Sequence, residues 1–261
     1  MKTRIISGLC MVPLLLIVYL GGYPLLILAA LIGAVGVREL YQGFENMGIY
    51  ASYPIAIGLL VVLYIGAIFW PNHPGFLTGW LAAAVIASSL YNFKIKEREI
   101  EDGMATMLGL IYVIFFSFHV VLVDRTGPYS VMIWLVLLSA FATDIFAYFT
   151  GMAIGKHKLC PNLSPKKTIE GAVGGIVGEV ICSLLFARLA CPELTMHVIF
   201  CGILASVLSM CGDLTASAYK RQMGIKDYGN LIPGHGGILD RFDSVLFTAP
   251  AVYYYILFVM M

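Results

Sequence analysis

Residues 213–243 read DLTASAYKRQMGIKDYGNLIPGHGGILDRFD, and they form the most polar stretch of a very apolar chain. The stretch contains four aspartates and five glycines, whereas long intervals elsewhere carry no charge at all. Apolar runs long enough to cross a bilayer lie on both sides of it. The chain is therefore organised as membrane helices around one charged, glycine-rich segment.

The first part of this stretch is predicted to be helical, with its polar side chains aligned. Asp213, Ser217, Lys220 and Arg221 are spaced i, i+4, i+7 and i+8, so a helix would present them on one face. A carboxylate, a hydroxyl and two cations would then lie side by side.

The second part combines a loop with the start of another helix. Residues 224–237 contain five glycines and Pro233, which favour turns, positive φ and close approach of backbone N–H groups to a ligand. Asp240 and Asp243 follow three residues apart, so they share a face at the start of the last apolar run. A regular helix cannot continue through the loop.

Carboxylates can hold a hard divalent cation, and lysine and arginine can hold phosphate groups. Joined by a glycine loop, these residue types indicate metal-assisted phosphoryl or nucleotidyl transfer. The alternative from composition alone is a cytoplasmic loop whose charges lie near lipid headgroups.

Composition places the chain in a bilayer. Of 261 residues, 60% are hydrophobic and only 12% are charged, whereas soluble domains carry about 25% charged residues. We predict an all-α, polytopic membrane protein. The net charge of +1 and the lack of a basic, aromatic-rich patch argue against nucleic acid as a partner.

Hydropathy predicts about nine spanning helices in a single integral-membrane domain, 1–261. Within it, 1–130 would hold the N-terminal helices and 131–261 the helices that carry the site. The nine apolar runs are 4–21, 23–42, 52–70, 76–92, 104–123, 130–154, 167–190, 194–212 and 243–261.

The distribution of basic residues predicts the orientation of these helices. With a cytoplasmic N-terminus and nine spans, fourteen of the sixteen lysines and arginines fall on the cytoplasmic side. The charged stretch then lies in the cytoplasm, where nucleotides and magnesium are present, and the C-terminus lies outside.

Two acids lie near the middle of predicted spans. Asp144 lies near the middle of the run 130–154, where a carboxylate costs about 2.5–3.5 kcal/mol on insertion scales and is a functional candidate by default. A structural hydrogen bond between helices is the alternative for Asp144. Glu179 is the second such acid, and its role stays open.

The segment before the run 167–190 offers an anion site. Ser164-Pro165 is typical of a helix start, with the serine as N-cap and the proline at the first helical position. Lys166 and Lys167 would then lie in the first turn, beside free backbone N–H groups that bind anions. Lysines that reach toward anionic lipid are the alternative, and both can hold together.

Glycines and one histidine complete the candidates. Gly171/Gly175 and Gly174/Gly178 give two overlapping GxxxG spacings, which indicate close helix packing within or between subunits. His235 lies among the loop glycines, where it could bind phosphate or protonate a leaving group; its role is unassigned.

The charged stretch resembles the signature of a known family. The residues that carry the likeness are Ser217, Lys220-Arg221, Lys226-Asp227, Gly229, Pro233, His235-Gly236-Gly237, Asp240-Arg241 and Asp243. Upstream, Asp144 with its Tyr-Phe-x-Gly run and the Ser-Pro-Lys-Lys-Thr-x-Glu-Gly block share the likeness. Together they resemble the bacterial phosphatidate cytidylyltransferases (CDP-diacylglycerol synthases).

The resemblance implies that phosphatidate attacks CTP to give CDP-diacylglycerol and pyrophosphate, with Mg²⁺ as cofactor and a second metal ion left open. It implies a multi-pass enzyme of the inner (plasma) membrane with its site at the cytoplasmic face, and a homodimer. Resemblance and residue type together assign the catalytic role to Asp144, Asp213, Lys220, Arg221, His235, Asp240 and Asp243. Phosphate binding is assigned to Lys166, Lys167, Ser217, Lys226, Gly236, Gly237 and Arg241. The metal ligands would be Asp213 and Asp240, with Asp144 and Asp243 as further candidates.

Three other functions compete with this one. A related CTP-using enzyme could act on an isoprenoid lipid, but the block between 217 and 243 favours phosphatidate. A CDP-alcohol phosphatidyltransferase is excluded because its DG-x2-AR…G-x3-D-x3-D pattern is absent. A transporter would spread acids such as Asp144, Glu179 and Asp213 across the bilayer, whereas most polar residues here gather at one predicted surface.

Overall fold

The computed structural model describes residues 13–71, 73, 75–232, 234 and 236–261. In this part the chain is almost entirely helical, with one small β-hairpin. The helices are α1 (Gly22–Glu45), α2 (Tyr53–Phe69), α3 (Phe76–Tyr91), α4 (Ile100–Asp124), α5 (Ile133–Ile154), α6 (Ile169–Ala190), α7 (Thr195–Gln222) and α8 (Leu239–Tyr255), and the strands are β1 (Lys158–Cys160) and β2 (Ser164–Thr168). Short 3₁₀ turns precede α5 and α7, at Gly127–Met132 and Pro192–Leu194. A π-helical segment, Gly109–Phe115, interrupts α4, and another, Ile256–Met260, follows α8.

Six of the described helical segments are long and apolar enough to cross a bilayer: Gly22–Glu45, Ile100–Asp124, Gly127–Ile154, Ile169–Ala190, Pro192–Gln222 and Leu239–Met260. Two shorter apolar helices, α2 and α3, lie between the first two of these. Eight of the nine predicted runs thus coincide with described helices. Of the first run, 4–21, residues 4–12 lie outside the described ones and residues 13–20 are helical. The total of nine spans therefore stays a prediction.

The surface of these helices has the character of a lipid-facing surface. Large apolar side chains are exposed along them, including Leu189 at 87%, Phe258 at 77% and Phe69 at 71%. A water-soluble protein rarely exposes contiguous apolar patches on this scale. The chain is a multi-pass helical membrane protein.

Local sequence explains where two of the helices begin. Ser52 caps α2 by accepting a hydrogen bond from the backbone N–H of Ile55 at 3.4 Å, and Pro54 follows in the first turn. Glu99 and Asp102 form a capping box at the start of α4. Both caps supply acceptors for backbone N–H groups that a helix start leaves unpaired.

The chain packs as two compact units. The first comprises the described residues up to Phe118 together with Gln222–Arg241. In this unit α1 packs closely on α4, because a Cβ on Gly36 would lie 3.1 Å from the Val113 side chain. Beside that contact, the Tyr41 hydroxyl donates to the Thr106 carbonyl at 2.7 Å.

The second unit comprises His119–Arg221 and Phe242–Met261. Its central contact is between α5 and α6, where glycines remove the side chains that would separate the helices. A Cβ on Gly175 would lie 2.9 Å from the Thr143 carbonyl oxygen, and one on Gly178 would lie 2.1 Å from the Phe146 ring. The predicted GxxxG packing is thus used within this chain.

The predicted helix start at Ser164 is wrong. Residues Ser164–Thr168 form strand β2, which pairs with β1 in antiparallel register, Lys158 opposite Thr168 and Cys160 opposite Ser164. Helix α6 begins at Ile169, and Thr168 is its N-cap, accepting from the Gly171 N–H at 3.1 Å. Ser-Pro suits a strand start as well as a helix start, and here pairing with β1 satisfies the backbone. Lys166 and Lys167 therefore precede α6 rather than forming its first turn.

Candidate active site

An ion pair between Lys167 and Asp213 lies at the centre of the candidate site in the second unit. Lys167 is carried by β2 and Asp213 by α7, and the lysine Nζ contacts the aspartate Oδ2. Only about a quarter of each side chain is exposed, 27% and 25% respectively. On the same face of α7, one turn on, the Ser217 hydroxyl donates to the other Asp213 oxygen at 3.5 Å. The predicted alignment of Asp213 with Ser217 is confirmed.

Further charges of the second unit surround this pair. Asp243, in α8, is buried, and its Oδ1 accepts from the Ser244 N–H at 2.8 Å. It lies within electrostatic range of Asp213, Lys220 and Asp144. Close approach of α7 and α8 depends on Gly212, since a Cβ there would lie 2.7 Å from the Asp243 carbonyl oxygen. Two other predicted carboxylates, Asp213 and Asp144, thus lie within electrostatic range of Asp243.

A cavity of about 460 Å³ opens beside the ion pair. Its polar lining comes from Asp144, Lys166, Lys167, Thr168 and Asp213, and its apolar lining includes Tyr148, Met152, Leu159 and Met210. Tyr148 and Met152 are about two-thirds exposed, at 65% and 66%, on the outer face of α5. The cavity therefore joins a charged wall to an apolar wall.

The β-hairpin that carries the two lysines is attached to α6 by Glu170. Its carboxylate accepts the backbone N–H groups of Lys156 and His157 at 3.1 and 3.2 Å, and it contacts His157 Nδ1 at 2.6 Å. A Cβ on Gly155 would lie 2.7 Å from the Thr168 hydroxyl, so the glycine allows the hairpin to close. These contacts fix Lys166 and Lys167 at the edge of the cavity.

The glycine loop, residues 224–237, belongs to the first unit, and its residues 233 and 235 lie outside the described ones. The prediction that it is not helical is confirmed for the rest. Gly224, Gly234 and Gly236 have φ of 69°, 79° and 86°, the left-handed values that glycine adopts without strain. The loop narrows where the Ile232 N–H donates to the Gly236 carbonyl at 2.9 Å.

Asp240 holds both ends of this loop. Its Oδ2 accepts the backbone N–H groups of Tyr228 at 2.8 Å and Gly237 at 2.9 Å, and the side chain is only 6% exposed. The Gly237 N–H, predicted to face a phosphate, donates to Asp240 in this structure. A Cβ on Gly236 would lie 2.7 Å from the same carboxylate oxygen.

Sequence reasoning missed Glu39. This residue of α1 is 5% exposed and accepts the backbone N–H groups of Ile238 and Leu239 at 3.0 and 2.8 Å. The missed signal was an acid inside the predicted span 23–42, since a carboxylate in such a run indicates a function or a specific partner.

The remaining predicted residues are placed as follows. In the first unit Lys226 is exposed, and the Arg241 Nε is buried without a hydrogen-bond partner among the described residues. Arg221 is exposed on the last turn of α7. His235 lies outside the described residues, so its predicted role is untested.

Glu179 lies apart from the cavity lining. It is fully buried in α6, and its Oε1 accepts from the hydroxyls of Ser139 and Ser183. Hydroxyl partners on α5 and α6 indicate an interhelical polar contact rather than a phosphate or nucleotide site.

The predicted metal ligands of the second unit are aspartates. Among the residues that the structure describes, no three His, Cys, Asp or Glu side chains form a group that could hold a metal ion. Magnesium is usually held by one or two carboxylates, with water and substrate phosphates completing its shell. Asp213 fits that requirement because its present partners are side-chain groups on a cavity wall.

Helices long and apolar enough to cross a bilayer, and a cavity with lysines on one side and apolar side chains on the other, define the class: a multi-pass membrane protein with a charged cavity. Comparison with known proteins narrows this class. Residues 2–259 match the family described as the cytidylyltransferase family. The chain belongs to that family and is a nucleotidyltransferase.

Curated relatives match over nearly their whole length. The chain is 34% identical to the phosphatidate cytidylyltransferase of Thermotoga maritima over 271 residues, which cover 97% of this chain and 95% of that protein. It is 33% identical to the phosphatidate cytidylyltransferase of Bacillus subtilis, with 97% of each chain covered. A third phosphatidate cytidylyltransferase, from Synechocystis, is 34% identical, with 98% of this chain and 97% of that protein covered.

Proposed function

We propose that the protein transfers the cytidylyl group of CTP to phosphatidate, which gives CDP-diacylglycerol and pyrophosphate for phospholipid synthesis. The observation that carries this proposal is the two-sided cavity of the second unit. Curated relatives that align with 97% of the chain are named for the same reaction, and this supports the proposal.

The cavity suits the lipid substrate. Lys166 and Lys167 would receive the phosphate of phosphatidate, because ammonium groups neutralise and hydrogen-bond phosphate oxygens. Tyr148 and Met152 line the same cavity from the exposed face of α5, where acyl chains would enter from the bilayer. A free nucleotide would gain nothing from this apolar wall.

The reaction itself needs charge neutralisation more than a base. A phosphate monoester has a second pKa of about 6, so phosphatidate is largely ionised near neutral pH. One of its oxygens forms a bond to the α-phosphorus of CTP, while the bond from that phosphorus to the β-phosphate oxygen breaks and pyrophosphate leaves. Lys167, Lys220 and Arg221 would lower the repulsion between the two anionic substrates.

Magnesium is the proposed cofactor. When bound, it would neutralise CTP phosphates and stabilise the pyrophosphate leaving group. Asp213 is the proposed ligand from the second unit, with Asp144 and Asp243 as neighbours that could contribute. The place of Asp240 among the metal ligands stays a prediction from the sequence.

We also propose nine spans in the inner (plasma) membrane, with the N-terminus and the active site on the cytoplasmic side and the C-terminus outside. The agreement of eight predicted runs with described helices supports the count, and the lysine and arginine distribution supports the orientation. A homodimer is proposed from the family resemblance alone.

Turnover of purified protein in detergent tests the reaction. Protein supplied with CTP, phosphatidate and Mg²⁺ should release pyrophosphate and CDP-diacylglycerol in equal amounts, and diacylglycerol without the phosphate should give neither. Lys167→Gln should lower kcat/KM about 10²-fold, while Lys94→Gln, at an exposed lysine of the first unit, should not. Folded parent protein that used an isoprenoid phosphate but not phosphatidate would overturn the proposal.

A further inference from the structure

Glu39 is a buried acid whose two oxygens are both used by the backbone at one end of the glycine loop. Oε1 accepts the N–H of Ile238 at 3.0 Å and Oε2 that of Leu239 at 2.8 Å. These are among the N–H groups that the start of α8 leaves without helical partners. Glu39 therefore caps α8 from a different helix, α1, about 200 residues away in sequence.

The loop backbone is shaped around this carboxylate. A Cβ on Gly229 would lie 2.7 Å from Glu39 Oε1, and a Cβ on Gly237 would lie 2.5 Å from both carboxylate oxygens. Any side chain at either position would displace the acid. Two glycines on opposite arms of the loop thus leave a space that the Glu39 carboxylate fills.

Asp240 completes the arrangement. It accepts from Tyr228 and Gly237 and lies within electrostatic range of Glu39. Two neighbouring acids repel each other, and backbone N–H groups together with the positive end of the α8 dipole offset that repulsion. Each carboxylate accepts two backbone N–H groups, and these four hydrogen bonds fix both arms of the loop and the first turn of α8.

A local cap could have stabilised α8 alone. Thr168 caps α6 in this way, whereas the residue before α8 is Ile238, whose side chain has no acceptor. Because Glu39 lies on α1, its hydrogen bonds attach the end of the loop and the first turn of α8 to α1. The residues held in this way include Lys226 and Arg241, which are predicted to bind substrate phosphates, and Asp240, which is predicted to hold the metal.

We infer that Glu39 is a positioning residue for the cytidylyl transfer: it holds the glycine loop and the first turn of α8 in the arrangement that receives CTP phosphates. The inference rests on the proposed function. Glu39 itself touches no substrate, because both of its oxygens bind the backbone.

Glu39→Gln is the main test, with Glu45→Gln as the matched control on the exposed side of the same helix. Glutamine keeps one acceptor oxygen but turns an amide donor toward a backbone N–H, so one hydrogen bond becomes a repulsion. We expect the half-saturating concentrations of CTP and Mg²⁺ to rise about tenfold or more, since hydrogen bonds to charged groups are strong. Glu39→Asp keeps two acceptor oxygens, so its half-saturating concentrations should lie closer to the parent values than those of Glu39→Gln.

These half-saturation values separate positioning from a purely structural role. Loss of folded protein lowers the maximal rate per milligram but leaves the half-saturating concentrations unchanged. A Glu39→Gln protein with parental half-saturation values would overturn the inference, whether or not its maximal rate fell.

A second readout needs neither substrate nor metal. Lys226 is an exposed trypsin site in the loop, and cleavage after it should be several-fold faster in ligand-free Glu39→Gln than in the parent or in Glu45→Gln. If Glu39→Gln fails to fold, Glu39→Asp takes its place, because its shorter side chain weakens both hydrogen bonds and should still speed cleavage by a smaller factor. Unchanged cleavage in the folded variant would overturn the inference. If instead the parent protein is inactive but Glu39→Gln is still cleaved faster, the proposed reaction is refuted. The role of Glu39 in holding the loop then stands.

Discussion

Two groups of acids, Glu39 with Asp240 in the first unit and Asp213 alone in the second, are held in opposite ways. In the first unit Glu39 and Asp240 accept hydrogen bonds from four backbone N–H groups. In the second unit Asp213 is held by side chains, the Lys167 ammonium and the Ser217 hydroxyl. Backbone donors cannot leave without unfolding the loop, whereas side-chain donors can rotate away.

The difference shows which carboxylates are able to exchange partners. An acid that holds backbone N–H groups maintains a shape, and an acid paired with a lysine on a cavity wall can accept a metal or release the lysine to a phosphate. The two groups should therefore respond differently to substitution. Changes in the second unit should alter activity most, and changes in the first should alter stability and substrate affinity.

Asp213→Asn should have the largest effect. The variant keeps the shape of the side chain but removes the charge that faces Lys167, so turnover should fall about 10²–10³-fold with little change in the thermal unfolding midpoint. Initial rates of pyrophosphate release measure this. Glu193→Gln, at an exposed acid of the second unit, is the control, and near-parental turnover of Asp213→Asn would remove Asp213 from the site.

Exchange of the two charges separates pairing from chemistry. The double variant Lys167→Asp with Asp213→Lys restores an ion pair, so its stability should recover relative to either single variant by about 0.5–3 kcal/mol of coupling. Activity should stay about 10²-fold or more below the parent, because cation and carboxylate have changed places. Restored turnover would mean that the pair only holds β2 to α7.

Gly237→Ala tests the packing of the first unit. Its Cβ would meet a carboxylate that two backbone hydrogen bonds hold in place, so we expect a loss of about 1–3 kcal/mol in the free energy of unfolding. Chemical denaturation in detergent measures it. Gly58→Ala in α2, where no atom lies within 4 Å of the added Cβ, should be neutral or stabilising. Equal effects at both sites would contradict the close packing around Glu39.

Thr168→Ala should have the smallest effect of this set. It removes the N-cap of α6 and should cost about 1 kcal/mol in unfolding free energy, whereas Thr168→Ser keeps the acceptor and should cost less. The same denaturation experiment compares the two. A serine variant no more stable than the alanine variant would show that the hydroxyl does not cap the helix.

Hydropathy predicted the helices well because a spanning run is a local property of the sequence. The capping pattern failed at Ser164-Pro165, because the choice between strand and helix there depends on pairing with Lys158–Cys160. In the site, too, contacts between residues far apart in sequence could not be predicted. Asp213 and Ser217 lie four residues apart on one helix and were aligned correctly, but the partner Lys167 lies 46 residues away.

Glu39 shows the limit most clearly. Its two partners are 199 and 200 residues away, and they are backbone groups, which carry no side-chain signature in the sequence. Only the cost of an acid in an apolar run indicated that it had a partner.

The fully buried Glu179 has a consequence for biogenesis. A carboxylate inside an apolar helix costs about 2.5–3.5 kcal/mol when the helix leaves the translocon alone. Its hydroxyl donors lie on α6 itself and on α5, at Ser183 and Ser139, and the glycines of α6 already fit against α5. Helices α5 and α6 should therefore partition into the bilayer as a pair, and a glycosylation-site reporter should record poorer insertion of α6 without α5 than of the two together.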